Sequence, residues 1–143
     1  MKIYYATSIS GETNQEAEDT NIQLIKYLKK YGEVLTEHFA DSSLIQVGEL
    51  TMDDKEIHDR DMEWIMEADV IIAEVSNPSF GVGYEIGRSV ENNKKVLCLR
   101  KKQDRRLSAM LRGCDKITVM DYYNINEAIN IIDNFFTKHT KSN

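Results

Sequence analysis

Short apolar runs alternate with longer amphipathic segments along this chain. The apolar runs predict five strands, at Lys2–Ala6, Val34–Thr36, Val70–Ala73, Val96–Leu99 and Ile117–Met120. The segments between most of them carry apolar residues at helical spacing. Because strands and helices alternate throughout, the sequence predicts an α/β fold with a five-stranded parallel sheet in the order 2-1-3-4-5 and helices on both faces.

Paired polar residues mark where the predicted helices begin. The pairs are spaced three residues apart, as in a capping box: Thr13 with Glu16, Asp53 with Glu56, and Asn124 with Glu127. The first helix is predicted to run to about Tyr31 and to end at Gly32. Ala40–Thr51 lacks periodicity and is predicted to be a loop or lid, and Leu107–Leu111 is predicted to form one helical turn.

The stretch Asn77–Arg88 follows the most apolar strand and holds the only proline and three of the seven glycines. Gly81 and Gly83 precede Glu85 at the predicted start of a helix, where backbone can approach a ligand closely. Three interpretations stay open. The stretch is a phosphate cradle, a site for a catalytic Glu85, or a close-packed turn whose glycines serve sterics.

A second carboxylate, Asp61, lies on the apolar stripe of its predicted helix, one turn from Ile57 and Ile65. An inward carboxylate is costly unless it is paired or lines a cavity, so either a site role or a hydrogen bond to a nearby loop must explain it. Ligands of such sheets bind at the carboxyl ends of the strands. The loops Thr7–Gly11, Glu37–His38 and Glu74–Glu85 meet there.

Composition narrows the class of protein. The length of 143 residues predicts a single domain, 1–143. The net charge of −6 argues against nucleic acid as a partner. The basic run from Arg100 to Arg106 is interpreted as a solvated loop, and Cys98 as a core residue. No cysteine or histidine spacing predicts a metal site, and no apolar run predicts a membrane span. We expect a cytoplasmic protein, or a nuclear one in a eukaryote.

Two carboxylates that face one pocket fit cleavage of a glycosidic bond. Glu85, in the first turn of a helix, would be held ionised as the nucleophile, whereas Asp61, among apolar neighbours, would keep its proton. The bland alternative is that Glu85 merely pairs with Arg88 one helical turn further on.

Motifs along almost the whole chain resemble the nucleoside 2-deoxyribosyltransferase family, and most closely its hydrolytic branch, the 2′-deoxynucleoside 5′-phosphate N-hydrolases. The most specific block is Gly-Val-Gly-Tyr-Glu-Ile-Gly-Arg at 81–88, and further blocks lie at 4–11, 34–38, 57–61, 68–75 and 107–113. The resemblance implies a flavodoxin-like (Rossmann-like) three-layer sandwich that cleaves the base–sugar bond of a nucleoside monophosphate, without a metal or organic cofactor.

The resemblance also implies roles for individual residues. Glu85 matches the nucleophile, Asp61 a second active-site carboxylate, and Tyr4 a supporting tyrosine. The implied substrate-binding residues fall into three groups: the loop Ser8, Ile9, Ser10 and Gly11, with His38, around the base and phosphate; Ser79, Gly81 and Gly83 at the glycine-rich turn; and Ser108, Ala109 and Met110, with Ser108 lent by the partner subunit of a homodimer.

One departure from the family pattern concerns the phosphate. Vertebrate-type members have an arginine at the position of Ser10, which cannot supply a bidentate charged contact. Three hypotheses follow for the function: a nucleoside-monophosphate N-glycosidase acting on deoxyribose or ribose, a nucleoside deoxyribosyltransferase, and a nucleotide-binding module without catalysis.

Overall fold

The computed structural model describes residues 1–8, 14–40 and 51–140, except for the side chains of Phe39 and Thr140. Its strands are Lys2–Thr7 (β1), Glu33–Val34 (β2), Val70–Glu74 (β3), Lys95–Lys101 (β4) and Ile117–Tyr122 (β5). All pair in parallel, in the order β2-β1-β3-β4-β5. The predicted fold class and strand order are confirmed.

The helices are Gln15–Leu28 (α1), Asp54–Glu67 (α2), Phe80–Glu91 (α3), Ala109–Arg112 (α4) and Ile125–Thr140 (α5), with a 3-10 turn at Glu37–Ala40. The predicted starts of α2 and α5 are confirmed. Asp53 accepts a hydrogen bond from the Glu56 N–H at 2.8 Å, and Asn124 accepts one from the Glu127 N–H at 3.0 Å.

The predicted ends of α1 need correction. Its cap is Asn14, whose side chain accepts from the Ala17 N–H at 2.8 Å; the predicted cap, Thr13, lies outside the described residues. The helix ends at Leu28, ahead of Gly32. Gly32 instead lets the backbone at Met1 pack closely against it, because a Cβ at position 32 would lie 2.1 Å from the Met1 carbonyl oxygen.

The second strand is shorter than predicted, since β2 stops at Val34. Thr36 is buried, and its side chain makes the hydrogen bonds to β1 that the backbone of a longer strand would make. Its hydroxyl accepts from the Tyr5 N–H at 2.9 Å and donates to the Tyr5 carbonyl at 2.7 Å. The chain therefore stays against the edge of β1 up to the turn that carries His38.

Apolar side chains form two cores, one on each face of the sheet. One core joins β1 and β3 to α1 and α5, and the other joins them to α2 and α3. Cys98 lies in the second core, as predicted, and burial raises the pKa of its thiol to about 12. The second face also carries the middle of α2, so Asp61 points towards the sheet.

The basic run from Arg100 to Arg106 was predicted to be a solvated loop, and this is wrong for its first residues. Arg100 and Lys101 belong to β4, and Arg100 is only 4% exposed. Most of the predicted loop Ala40–Thr51 lies outside the described residues. No helix in the described part of the chain is long and apolar enough to cross a membrane.

Candidate active site

The glycine-rich turn leads from β3 into α3. Ser79 caps this helix by accepting from the Val82 N–H at 3.2 Å. A Cβ at Gly83 would meet no described atom within 4 Å, and one at Gly81 would meet only the Ser79 hydroxyl at 3.8 Å. The interpretation that these glycines serve close packing within the chain is therefore wrong, and they leave open space instead.

The sequence predicted that Glu85 lies in the first turn of its helix, and this is wrong. Glu85 is the sixth residue of α3 and lies in the second turn. Burial, followed by the charge of Asp61, raises the pKa of Glu85 to about 7. The Tyr4 hydroxyl and Arg60 lower it, but by less. The helix dipole acts mainly in the first turn and does not keep this carboxylate ionised.

Asp61 is buried in the middle of α2, on the inward face that the periodicity predicts. Its carboxylate accepts from Arg60, with Nη2 at 2.9 Å and Nε at 3.0 Å. Burial raises the pKa of Asp61, against the opposing effect of Arg60. The inward position is thus explained by an ion pair, and the charged form of Asp61 has a direct partner.

Tyr4 lies in β1 beneath both carboxylates. Its hydroxyl is buried and makes no hydrogen bond of ordinary geometry with the described residues. Burial, Glu85 and Asp61 all raise the Tyr4 pKa, so the phenol stays protonated. The acceptor within its reach is Glu85, whose pKa the hydroxyl lowers, so the buried phenol is directed at a carboxylate of the site.

His38 lies at the same end of the sheet. Its ring centroid is 5.5 Å from that of Trp64, and burial and Arg60 lower its pKa. Arg60 in turn covers the Trp64 ring, with 4.9 Å from its guanidinium carbon to the ring centroid. His38 therefore borders the carboxylate pair through α2. Ile9, Ser10 and Gly11 lie outside the described residues.

The predicted phosphate-binding serines line two different cavities. Ser8 is buried at the end of β1 and lines a polar cavity of about 230 Å³. Ser79 and Ser108 line a second cavity of about 480 Å³, together with Gly83 and Met110. Neither cavity is lined by Glu85 or Asp61. The described chain thus brings together Tyr4, Asp61 and Glu85, and separately the two serines.

The segment with Ser108 is a single helical turn, as predicted. Ser108 caps α4 by accepting from the Met110 N–H at 3.2 Å. Both Ala109 and Met110 are exposed, the latter at 82%. Among the described residues, no three His, Cys, Asp or Glu side chains are placed to hold a metal ion.

Sequence comparison connects this arrangement to known enzymes. The family profile described as nucleoside 2-deoxyribosyltransferase matches residues 3–129. The chain belongs to the nucleoside 2-deoxyribosyltransferase family. It is 44% identical to a 5-hydroxymethyl-dUMP N-hydrolase of Danio rerio, over 99% of this chain and 100% of that protein. It is 41% identical to a 5-hydroxymethyl-dUMP N-hydrolase of Homo sapiens, over 94% of this chain and 78% of that protein.

Solved structures agree with this assignment at the level of the fold. A CMP N-glycosidase of Clostridium botulinum superposes with a TM-score of 0.69 at 19% identity, covering 94% of this chain and 99% of that one. The predicted resemblance to the nucleoside 2-deoxyribosyltransferase family, and to its N-hydrolases, is confirmed.

Sequence reasoning did not single out Arg60, which binds Asp61 and covers Trp64. Neighbouring positions on a helix do not normally face each other, so Arg60 beside Asp61 was no signal of a pair. The spacing of Arg60 and Trp64, one turn apart, could have found the stacked guanidinium. Glu74 was also missed as a buried group: it accepts from the Ser76 N–H at 2.6 Å and from the Tyr122 hydroxyl, and thereby fixes the start of the glycine-rich turn.

Proposed function

We propose that this chain hydrolyses the N-glycosidic bond of 2′-deoxynucleoside 5′-monophosphates, releasing free base and 2-deoxyribose 5-phosphate. The observation that carries the proposal is the group of Tyr4, Asp61 and Glu85, two carboxylates and a phenol, in which Tyr4 and Asp61 are buried and Glu85 is half-buried. The names of the relatives above 40% identity support the reaction and the nucleotide class.

In the proposed mechanism, the ionised Glu85 carboxylate attacks the anomeric carbon of the sugar. The bond to the base breaks, and the sugar is held as an ester of Glu85. Water then attacks the same carbon, breaks the ester and releases the sugar phosphate with retained configuration. Glu85 gives up its proton as it ionises, and Asp61, fixed by Arg60, would orient the sugar or relay that proton to the departing base.

The Tyr4 hydroxyl supports Glu85 in this scheme. It is a buried donor that faces the carboxylate and lowers its pKa. A hydrogen bond from Tyr4 to the ionised form would favour the nucleophile, since a donor stabilises the charged carboxylate. The same hydroxyl could hold the carboxylate in place during attack.

We further propose that Ser8, Ser79 and Ser108 hold the 5′-phosphate, and that Ser108 serves the site of the other subunit in a homodimer. Phe80 and Met110 support an interface here, because their apolar side chains are 102% and 82% exposed around the cavity that holds Ser79 and Ser108. We expect the active protein to be cytoplasmic.

The rival functions are a deoxyribosyltransferase and a nucleotide-binding module without catalysis. A transferase would pass the sugar from Glu85 to a second base, where a hydrolase passes it to water. A binding module would not need two neighbouring carboxylates withdrawn from solvent, since taking charges out of water is costly.

A substrate panel tests the proposal. Base release is measured with ribo- and deoxyribonucleosides, with and without the 5′-phosphate, and in the presence of a competing free base. We expect release from deoxynucleoside monophosphates, little from nucleosides, and no transfer to the added base. Glu85→Gln is the inactive control. Equal turnover of nucleosides and monophosphates would contradict the phosphate requirement, and base exchange would favour the transferase.

A further inference from the structure

The cavity that holds Ser79 and Ser108 is positively charged in a chain whose net charge is −6. Among the described residues that line it, three carry a guanidinium, Arg100, Arg105 and Arg106, and none carries a carboxylate. We infer that these arginines bind the 5′-phosphate of the substrate beside Ser79 of the same chain, while Ser108 of that chain serves the other subunit's site. This inference rests on the proposed function for the identity of the anion.

Arg100 is the strongest part of the argument. It is the penultimate residue of β4, is 4% exposed, and donates to the Arg105 backbone carbonyl. No carboxylate among the described residues lies within ion-pairing distance of its guanidinium. A buried charge with no counter-charge is costly, and it is rarely kept unless something else neutralises it. An anion in the cavity would supply that neutralisation.

The neighbouring groups suit a phosphate. Arg105 and Arg106 are exposed on the segment that leads into α4, and they line the same space as Ser79 and Ser108. Guanidinium groups bind phosphate oxygens in pairs of parallel hydrogen bonds, and hydroxyls add neutral donors. The volume of about 480 Å³ leaves room for more than the anion.

The test compares the double variant Arg105→Gln/Arg106→Gln with Arg112→Gln. Arg112 is the matched control, because it is exposed on α4, pairs with Asp121 at 3.2 Å and does not line the cavity. Two quantities are measured at constant protein concentration: the affinity for inorganic phosphate by calorimetry, and kcat/KM for a monophosphate and for the matching nucleoside.

We expect the double variant to lose roughly ten- to hundredfold in phosphate affinity and in kcat/KM for the monophosphate, with the nucleoside rate unchanged. The monophosphate KM of the unaltered chain should rise with salt, because the exposed arginines are screened. Arg100→Gln should have the larger effect. If that variant does not fold, as judged by circular dichroism, the double variant decides.

Unchanged phosphate affinity and an unchanged monophosphate rate in the double variant would overturn the inference. It would also be overturned if the variant dissociated a dimer in sedimentation and lost nucleoside and monophosphate rates equally, since the arginines would then be interface groups. Arginine-dependent phosphate binding without turnover of any nucleotide would refute the proposed function but support the anion site.

Discussion

Replacing Glu85 with glutamine should make the protein more stable while it removes the proposed nucleophile. The pKa of Glu85 is raised from 4.5 to about 7, chiefly by burial. An unfolded chain releases this proton near pH 4.5, whereas the folded chain keeps it until about pH 7. Between these values the native state is penalised increasingly as pH rises, and above pH 7 the penalty is complete and constant.

The size of the penalty follows from the same two values. A difference of about 2.5 pH units, 7 minus 4.5, corresponds to at most about 3.5 kcal/mol at about 1.4 kcal/mol per unit. Glu85 shares the site with Asp61 and keeps partial contact with solvent, so we expect Glu85→Gln to recover about 1–3 kcal/mol above pH 7. In a chain of this length that raises Tm by about 3–9 °C.

The assay is thermal and urea unfolding at pH 5 and pH 8, at one protein concentration. Glutamine does not titrate, so its advantage should be small at pH 5 and full at pH 8. Glu91→Gln is the control, because Glu91 is exposed on the same helix. A stability gain of equal size at both pH values, or a loss at pH 8, would show that burial of a charge at Glu85 is not the cause.

Three further predictions concern the same site. If ionised Glu85 is the nucleophile, kcat/KM should rise with pH around about 7, and Glu85→Ala should lower turnover by several orders of magnitude; a rate that falls with pH would assign Glu85 as a proton donor. Gly83→Ala should add roughly 0.5–1 kcal/mol of stability, because helical glycine is costly and space is open there, but lower kcat/KM if substrate fills that space, whereas Gly87→Ala should only stabilise. Heterodimers of a Ser108→Ala subunit and a Glu85→Ala subunit should regain one intact site if Ser108 acts across the interface, and verified heterodimers without recovery would contradict shared sites.

The fold could be predicted because it depends on patterns that are local in the sequence. Apolar runs separated by amphipathic segments set the strands and helices, and the handedness of parallel connections then leaves few topologies. Asp61 was placed on the inward face by helical period alone. Both inferences require only that the side chains of one element share an environment.

Features that depend on contacts between distant segments were not predictable. Gly32 is required by the carbonyl of Met1, and Thr36 replaces a strand by bonding to Tyr5. Arg100 looked like the start of a basic loop, but β4 continues through it. In each case the deciding atoms lie on another element, so the local pattern carried no signal.

The protonation of Asp61 and Glu85 also depends on contacts that the local sequence pattern does not reveal, and it matters for function. The sequence assigned the negative charge to Glu85 and the proton to Asp61. In the structure Arg60 binds Asp61 directly, while Glu85 has only the Tyr4 hydroxyl and the more distant charge of Arg60 to lower its pKa. When two neighbouring carboxylates compete for one proton, the better-paired group stays ionised, so at neutral pH the resting proton is shared towards Glu85.

A bound nucleotide makes this competition more severe, because its phosphate brings further negative charge towards a carboxylate that must ionise in order to attack. Unless that charge is neutralised locally, the phosphate would raise the Glu85 pKa further and lower the fraction of nucleophile. The cavity with Arg100, Arg105 and Arg106 offers such neutralisation, as the inferred anion site requires. Binding the phosphate and keeping Glu85 ionised are then parts of one electrostatic arrangement. The arginines should therefore matter for the ionisation of Glu85 in the complex as well as for affinity.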